Sequence, residues 1–247
     1  MKHVLRALAF WIVVSGMSSV HAAQPYVFST QDGKTQITID TRSAPDLQNW
    51  SETQLAPVLA AWYPQIEVLL ASEGFVAPRR VSIILRPQPG VAETSGTEVS
   101  GNSEWFQKQL GGEATGAMVH EMVHVIQQYG DSERNPFPGW LTEGIADYIR
   151  FFKFEPDYHG ADDVWLKKQD FAKIRFDGAY RQSANFLNWV SEKYDRDIVP
   201  TLNALARRQR YSDAIWKERT GKTLSELGQQ WKAEKAPGAP SAAVSRR

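Results

Sequence analysis

The chain of 247 residues contains no cysteine. That excludes disulfides, thiolate metal ligands, a cysteine nucleophile and a lipid anchor built on cysteine. Net charge is missing too: 28 basic residues balance 28 acidic ones, which leaves no field for gripping nucleic acid or anionic lipid. Histidine is scarce, at five. Two of them, His3 and His21, fall in the first segment, so His120, His124 and His159 are those available for chemistry. No apolar run reaches the roughly 20 residues that span a bilayer.

Lys2 and Arg6 open a leader with an apolar stretch from Ala7 to Met17, followed by Val20-His21-Ala22. This is the pattern of a secretory signal peptide over residues 1–22, cleaved after Ala22. The expected product is exported, to the periplasm or outside the cell, with no stable membrane insertion once the signal is gone. Lack of cysteine in an exported chain fits a bacterial periplasm better than a plant apoplast. About 225 mature residues can bury a core without cross-links as one domain.

Early strands and late helices predict an α+β fold. Tyr26–Ser29 and Thr35–Asp40 flank Asp32-Gly33, a strong hairpin signal. A helix is expected from Leu55 to Ser72, with Leu55, Leu59, Trp62 and Ile66 on one stripe and Gly74 ending it. Val81–Arg86 reads as a strand stopped by Pro87. Residues 88–104 are rich in glycine, serine and threonine, with an edge strand expected near Glu98-Val99-Ser100. The next helix should run from Glu113 to Tyr129, capped by Gly130, with Val119, Met122, Val123, Ile126 and Tyr129 inward. After residue 153 the chain reads as helical, and Thr223-Leu224-Ser225-Glu226 is a capping box opening the last helix. Pro, Gly, Ala and Ser dominate a tail at 236–247, expected to be disordered.

The central helix carries His120-Glu121-Met122-Val123-His124. Two histidines four apart lie on one helical face and can reach one metal, while the intervening glutamate projects about 100° away and can touch a water held there. By chance the pattern recurs in roughly one chain in a few hundred, so it needs support. Support comes from Trp140 to Tyr148, where Glu143 and Asp147 are four apart on a face that Leu141, Ile145 and Ile149 leave free. Turn-formers at 130–139 join the two helices, so the acids can face the histidines. Glu143 then serves as third ligand and Asp147 as acceptor for the free N–H of a ligand histidine. The competing readings are a solvated face for Glu143 and, for Asp147, a pair with Arg150. His159 reads as surface loop.

This arrangement resembles the glutamate-ligated zinc metallopeptidases. More closely, the segments Gly116–Gln128 and Pro138–Arg150 resemble the plant basic secretory protein family and its bacterial relatives, regarded as zinc peptidases. Weaker likeness continues through Ala179–Leu187 and Gly221–Leu227. The resemblance implies a zincin-like catalytic domain over 23–235, with two lobes meeting near residue 130, and Zn2+ as the metal.

On that reading zinc bound by His120, His124 and Glu143 lowers the pKa of its water to about 7, and Glu121 is the general base. Charge developing on the carbonyl oxygen needs a second stabiliser. Tyr180, at a helix start, is the first candidate; its alternative is an aromatic packed between lobes, and Tyr148 points to the core. Trp105, Phe106, Trp140 and Trp165 are available to a cleft or to the core. The expected substrate is a protein or peptide. Two rivals are a zinc hydrolase of another amide or ester, such as a cell-wall amide, and a non-catalytic binding protein on the same fold. Oligomeric state is not legible.

Overall fold

Apolar residues alternate along β2 (Gln36–Asp40) and β3 (Arg80–Arg86), which buries Ile37, Ile39, Val81, Ile83 and Leu85 on one face of a sheet. The protein is described here by a computed structural model covering residues 24–130 and 136–238. The expected signal peptide, most of the expected tail, and residues 131–135 of the loop lie outside those bounds. The architecture is α+β, and the described residues form one five-stranded sheet in which β1 (Tyr26–Ser29), β2, β3, β5 (Glu98–Asn102) and β4 (Ala92–Ser95) lie side by side in that order.

β1 (Tyr26–Ser29) pairs antiparallel with β2 across the expected turn, where Gly33 has φ of 70°. β2 and β3 run parallel, so a crossover must join them. It is helical from Gln48–Trp50 (α1), through a wider π turn at Ser51–Leu55, into Ala56–Leu69 (α2). The helical stretch therefore begins seven residues before the expected Leu55, since Leu47 and Trp50 are buried with the same apolar stripe. Pro64 sits inside α2 and has no N–H for the Ala60 carbonyl. That carbonyl accepts instead from Gln31 N in the hairpin turn, at 2.9 Å.

The expected edge strand proves to be interior. β5 (Glu98–Asn102) lies between β3, parallel to it, and β4 (Ala92–Ser95), antiparallel, and β4 is the edge. Small residues in β5 disguise it because a ring packs over them. A Cβ on Gly101 would stand 2.8 Å from both Leu85 and Phe106, which is fully buried in the short helix α3 (Ser103–Lys108).

α4 (Ala114–Gln127) packs on β4, β5 and α2 on one side and on α5 (Gly139–Ile149) on the other. It stops two residues before the expected Tyr129. Gln128 is the residue that ends it, in a left-handed turn at φ 45°, and its side-chain amide donates to Val125 O and Gly96 O; Gly130, with φ of 78°, follows two residues on. α5 runs on through a π turn at Arg150–Phe154. α7 (Tyr180–Lys193) crosses α5 closely at Gly144, where an added Cβ would stand 2.7 Å from Ser183 Cβ. The remaining α-helices among the described residues are α6 (Asp163–Leu166), α8 (Ile198–Arg207), α9 (Ala214–Thr220) and α10 (Leu224–Lys235). The last opens on the expected capping box of Thr223 and Glu226.

Trp140 stacks on Trp216 and meets Phe176 and Phe186, so it belongs to this helical core. No helix among the described residues is long and apolar enough to cross a membrane.

Candidate metal centre

The polar stripe of α4 is covered rather than solvated. His120 and Glu121 are 7% and 8% exposed, and Gln127 only 2%. α5 supplies the cover, and with it Glu143 and Asp147. His120 Nε2 and His124 Nε2 stand 3.0 Å apart, and Glu143 Oε2 lies 3.2 Å and 3.4 Å from them. Among the described residues this is the one group of three side chains able to hold a metal ion.

Hydrogen bonds on the far side of each ring fix what the near side offers. His120 Nδ1 donates to Asp147 Oδ1 at 2.7 Å, and Asp147 is 3% exposed. His124 Nδ1 donates to Gln127 Oε1 at 2.7 Å, because Gln127 commits its amide nitrogen to Thr142 O at 2.9 Å. In neutral rings both Nε2 atoms therefore present lone pairs. Two lone pairs and a carboxylate converge on one point, an arrangement that calls for a cation.

The geometry suits a particular kind of cation. A tetrahedral centre with bonds of about 2.0–2.1 Å has ligand–ligand edges of about 3.3–3.4 Å. The observed edges are close to that triangle, and all three donor residues line the cleft, so a metal held there would be reachable from it. Protons are the alternative occupants. Burial opposes charge on His120, but the bonds to Asp147 and Glu143 outweigh it and raise its pKa to about 10. Burial likewise opposes the Glu143 carboxylate, and the two histidines hold it well below its usual range.

The group faces a cleft of about 1070 Å³ that β4 borders on one side and the start of α7 on another. Glu121 projects into it without joining the cluster. Its Oε2 accepts from Thr94 Oγ1 on β4 at 2.6 Å. Neither Thr94 nor Gln127 has a role that sequence alone suggests, since Thr94 reaches the centre through sheet topology and Gln127 through helix packing.

Tyr180 borders the same cleft, 55% exposed, its ring stacked 6.2 Å from that of His120. The Glu143 charge and partial burial both raise the phenol pKa, so the hydroxyl keeps its proton. Tyr180 and Ala179 have φ of 48° and 61°, values costly for residues with a Cβ.

Other candidates lie elsewhere. His159 is half exposed and bonded to Asp162, outside the cluster. Arg150 pairs with Glu113 and Glu155 and not with Asp147. Tyr148 is 6% exposed and stacks on Phe152. Trp105 and Trp165 border the cleft, while Phe106 does not.

No curated protein and no solved structure matches the chain. A family model described as "BSP: Peptidase of plants and bacteria" matches residues 41–231, a span that includes Thr94, the α4 motif, Glu143, Asp147 and Tyr180. The chain therefore belongs to the basic secretory protein family, peptidases of plants and bacteria.

Proposed function

We propose that the protein is an exported zinc metallopeptidase with a zincin-like catalytic domain over residues 23–235, two lobes meeting near residue 130. The observation that carries this reading is the triangle of His120 Nε2, His124 Nε2 and Glu143 Oε2, opening on a cleft that also holds Glu121. Zinc is favoured by its match to this donor set and to tetrahedral geometry. When bound it supplies Lewis acidity and acidifies a water.

The chain's own groups do the rest. Asp147 and Gln127 hold the two rings with Nε2 forward, as metal ligation requires. Glu121 accepts the proton of the attacking water and returns it to the leaving amine. Thr94 keeps one oxygen of that carboxylate engaged, so the other is free to take the proton. Tyr180 donates its hydroxyl hydrogen bond to the oxygen on which charge develops.

A peptide fits the cleft better than a compact substrate because, among the described residues, no strand lies on the outer side of β4. An extended chain laid there would gain backbone hydrogen bonds, as strand addition does elsewhere. Elemental analysis and a quenched-peptide assay with and without a chelator test the proposal together. Wild type should carry one zinc and lose cleavage on chelation. Glu121→Gln should retain zinc and lose turnover, and His120→Ala or His124→Ala should lose both. Chelator-resistant cleavage, or a zinc-loaded wild type that cuts no peptide, would refute it.

A further inference from the structure

The same stripe of α4 that carries His120 and His124 continues towards the N-terminus through Ala117 to Glu113, and all four border the cleft. Seven residues of helix separate Glu113 from His120, an axial distance of about 10.5 Å. At that point stand two guanidinium groups. Arg150 is 6% exposed and donates to Glu155 Oε1 at 2.6 Å and to Glu113 Oε2 at 3.1 Å. Arg181, the residue after Tyr180, donates one short hydrogen bond to the same Glu113 oxygen. The two guanidinium groups lie 4.4 Å and 4.8 Å from the Phe151 ring centroid.

This cluster is placed with some care. A Cβ at Gly116 would fall 2.3 Å from Glu155 Oε1 and 2.6 Å from Arg150 Nε, so the ion pair sits flush against the helix only because that residue is glycine. Arg150 is thereby fixed between Glu155 and Glu113. Arg181 is less committed: its side chain is 26% exposed, and among the described residues one of its five N–H donors has a partner. One Glu113 oxygen is shared between the two cations, and burial raises the Glu155 pKa, which weakens its hold as a counter-charge. Arg181 lines the same cleft as its neighbour Tyr180, and small Ala117, which also lines it, lies between Glu113 and His120 along α4.

We infer that Arg181, backed by Arg150, forms a subsite for a carboxylate of the substrate, two or three residues from the bond that is cut. The distance follows from an extended peptide, which advances about 3.3 Å per residue and so covers the separation in about three steps. Arginine suits the task because its planar fork meets a carboxylate in two parallel bonds. The carboxylate is either an acidic side chain or the free C-terminus of a short peptide. This inference rests on the peptidase reading above.

The competing account is that the cluster merely bolts the starts of α4 and α7 to the turn after α5. Matched peptides separate the two: Glu against Gln at each position within four residues of the cut, and free acid against amide at the C-terminus. Wild type should prefer the charged member at one position, with a kcat/KM ratio of about tenfold or more carried by KM, the effect of one charge-assisted hydrogen bond. Side-chain pairs and terminal pairs tell which source of carboxylate is used.

Arg181→Met should bring that ratio to about one, and Arg181→Lys should restore part of it. Glu113→Gln should keep or enlarge the ratio, because it frees Arg181; a bolt predicts instead that Glu113→Gln and Arg181→Met harm all peptides alike. No charge preference in wild type, or an Arg181→Met enzyme with the preference intact, overturns the subsite. If wild type cuts nothing, the peptidase reading fails by itself. Anisotropy of the same labelled peptides on zinc-loaded Glu121→Gln protein then still reads the charge preference and its loss with Arg181→Met.

Discussion

At the scale of single residues, the two acids of α5 do different work with the same chemistry. Glu143 joins the cluster of lone pairs, while Asp147, four residues on, is buried behind it against His120 Nδ1. Asp147→Asn should leave the fold intact, weaken zinc and reduce turnover by about 10–100-fold. Tyr180→Phe should leave zinc affinity unchanged and lower kcat, since a donor to developing charge acts only at the transition state. A chelator competition titration run beside the kinetics separates the two. Wild-type zinc affinity and turnover in Asp147→Asn would remove it from the centre.

These residues differ in how legible they are. His120, Glu121, His124, Glu143 and Asp147 stand at fixed offsets on two amphipathic helices, so spacing alone exposes them. Thr94 lies in Ala92-Glu93-Thr94-Ser95, which has no apolar alternation and reads as loop. It becomes visible only when β5 pairs with it and turns its hydroxyl to Glu121. Arg150 and Arg181 are legible only as helical charges, because their meeting at Glu113 depends on three separate elements packing together.

Among elements, the end of α4 is held by a residue far away in sequence. Arg207, from α8, donates to Ile126 O at 2.6 Å and Gln127 O at 3.1 Å, and also to Leu70 O at the end of α2. Its guanidinium lies 3.4 Å over the Phe75 ring. Burial lowers its pKa to about 10, well above neutrality, so it remains charged where it complements two helix C-termini. Arg207→Met should destabilise the fold by about 2–4 kcal/mol, because buried carbonyls at the end of α4 lose their partner. Urea unfolding measures this, and a loss below about 0.5 kcal/mol would mean that water replaces the guanidinium without penalty.

Element type was readable wherever local chemistry decides it: the Asp32-Gly33 hairpin, the motif helix and the Thr223 capping box all formed as their residues dictate. Boundaries moved where packing decides. The first helical stretch starts early because Leu47 and Trp50 have core to bury in, and α4 ends at Gln127, where the left-handed Gln128 that follows bonds Gly96 O through its amide side chain.

For the whole molecule, the proposed export rests on the leader. The proposed signal peptide places the first mature residue at Ala23, with Gln24 the main alternative. N-terminal sequencing of protein recovered from the periplasm or medium should read from Ala23. Recovery of membrane-bound protein that retains Met1 would make the leader an anchor.

The open side of β4 has a cost apart from catalysis. Unpaired strand edges are templates for the edges of other copies, and long flat ones drive aggregation. This edge is four residues long and is bounded by Gly90 and Gly96, whose φ values of 76° and 60° bend the chain away at both ends. α4 walls it on one side, so a second folded copy cannot lay a rigid strand alongside as easily as a loose peptide can. On the proposed function, this recess would admit an extended, flexible chain to the edge more readily than the strand of a folded neighbour.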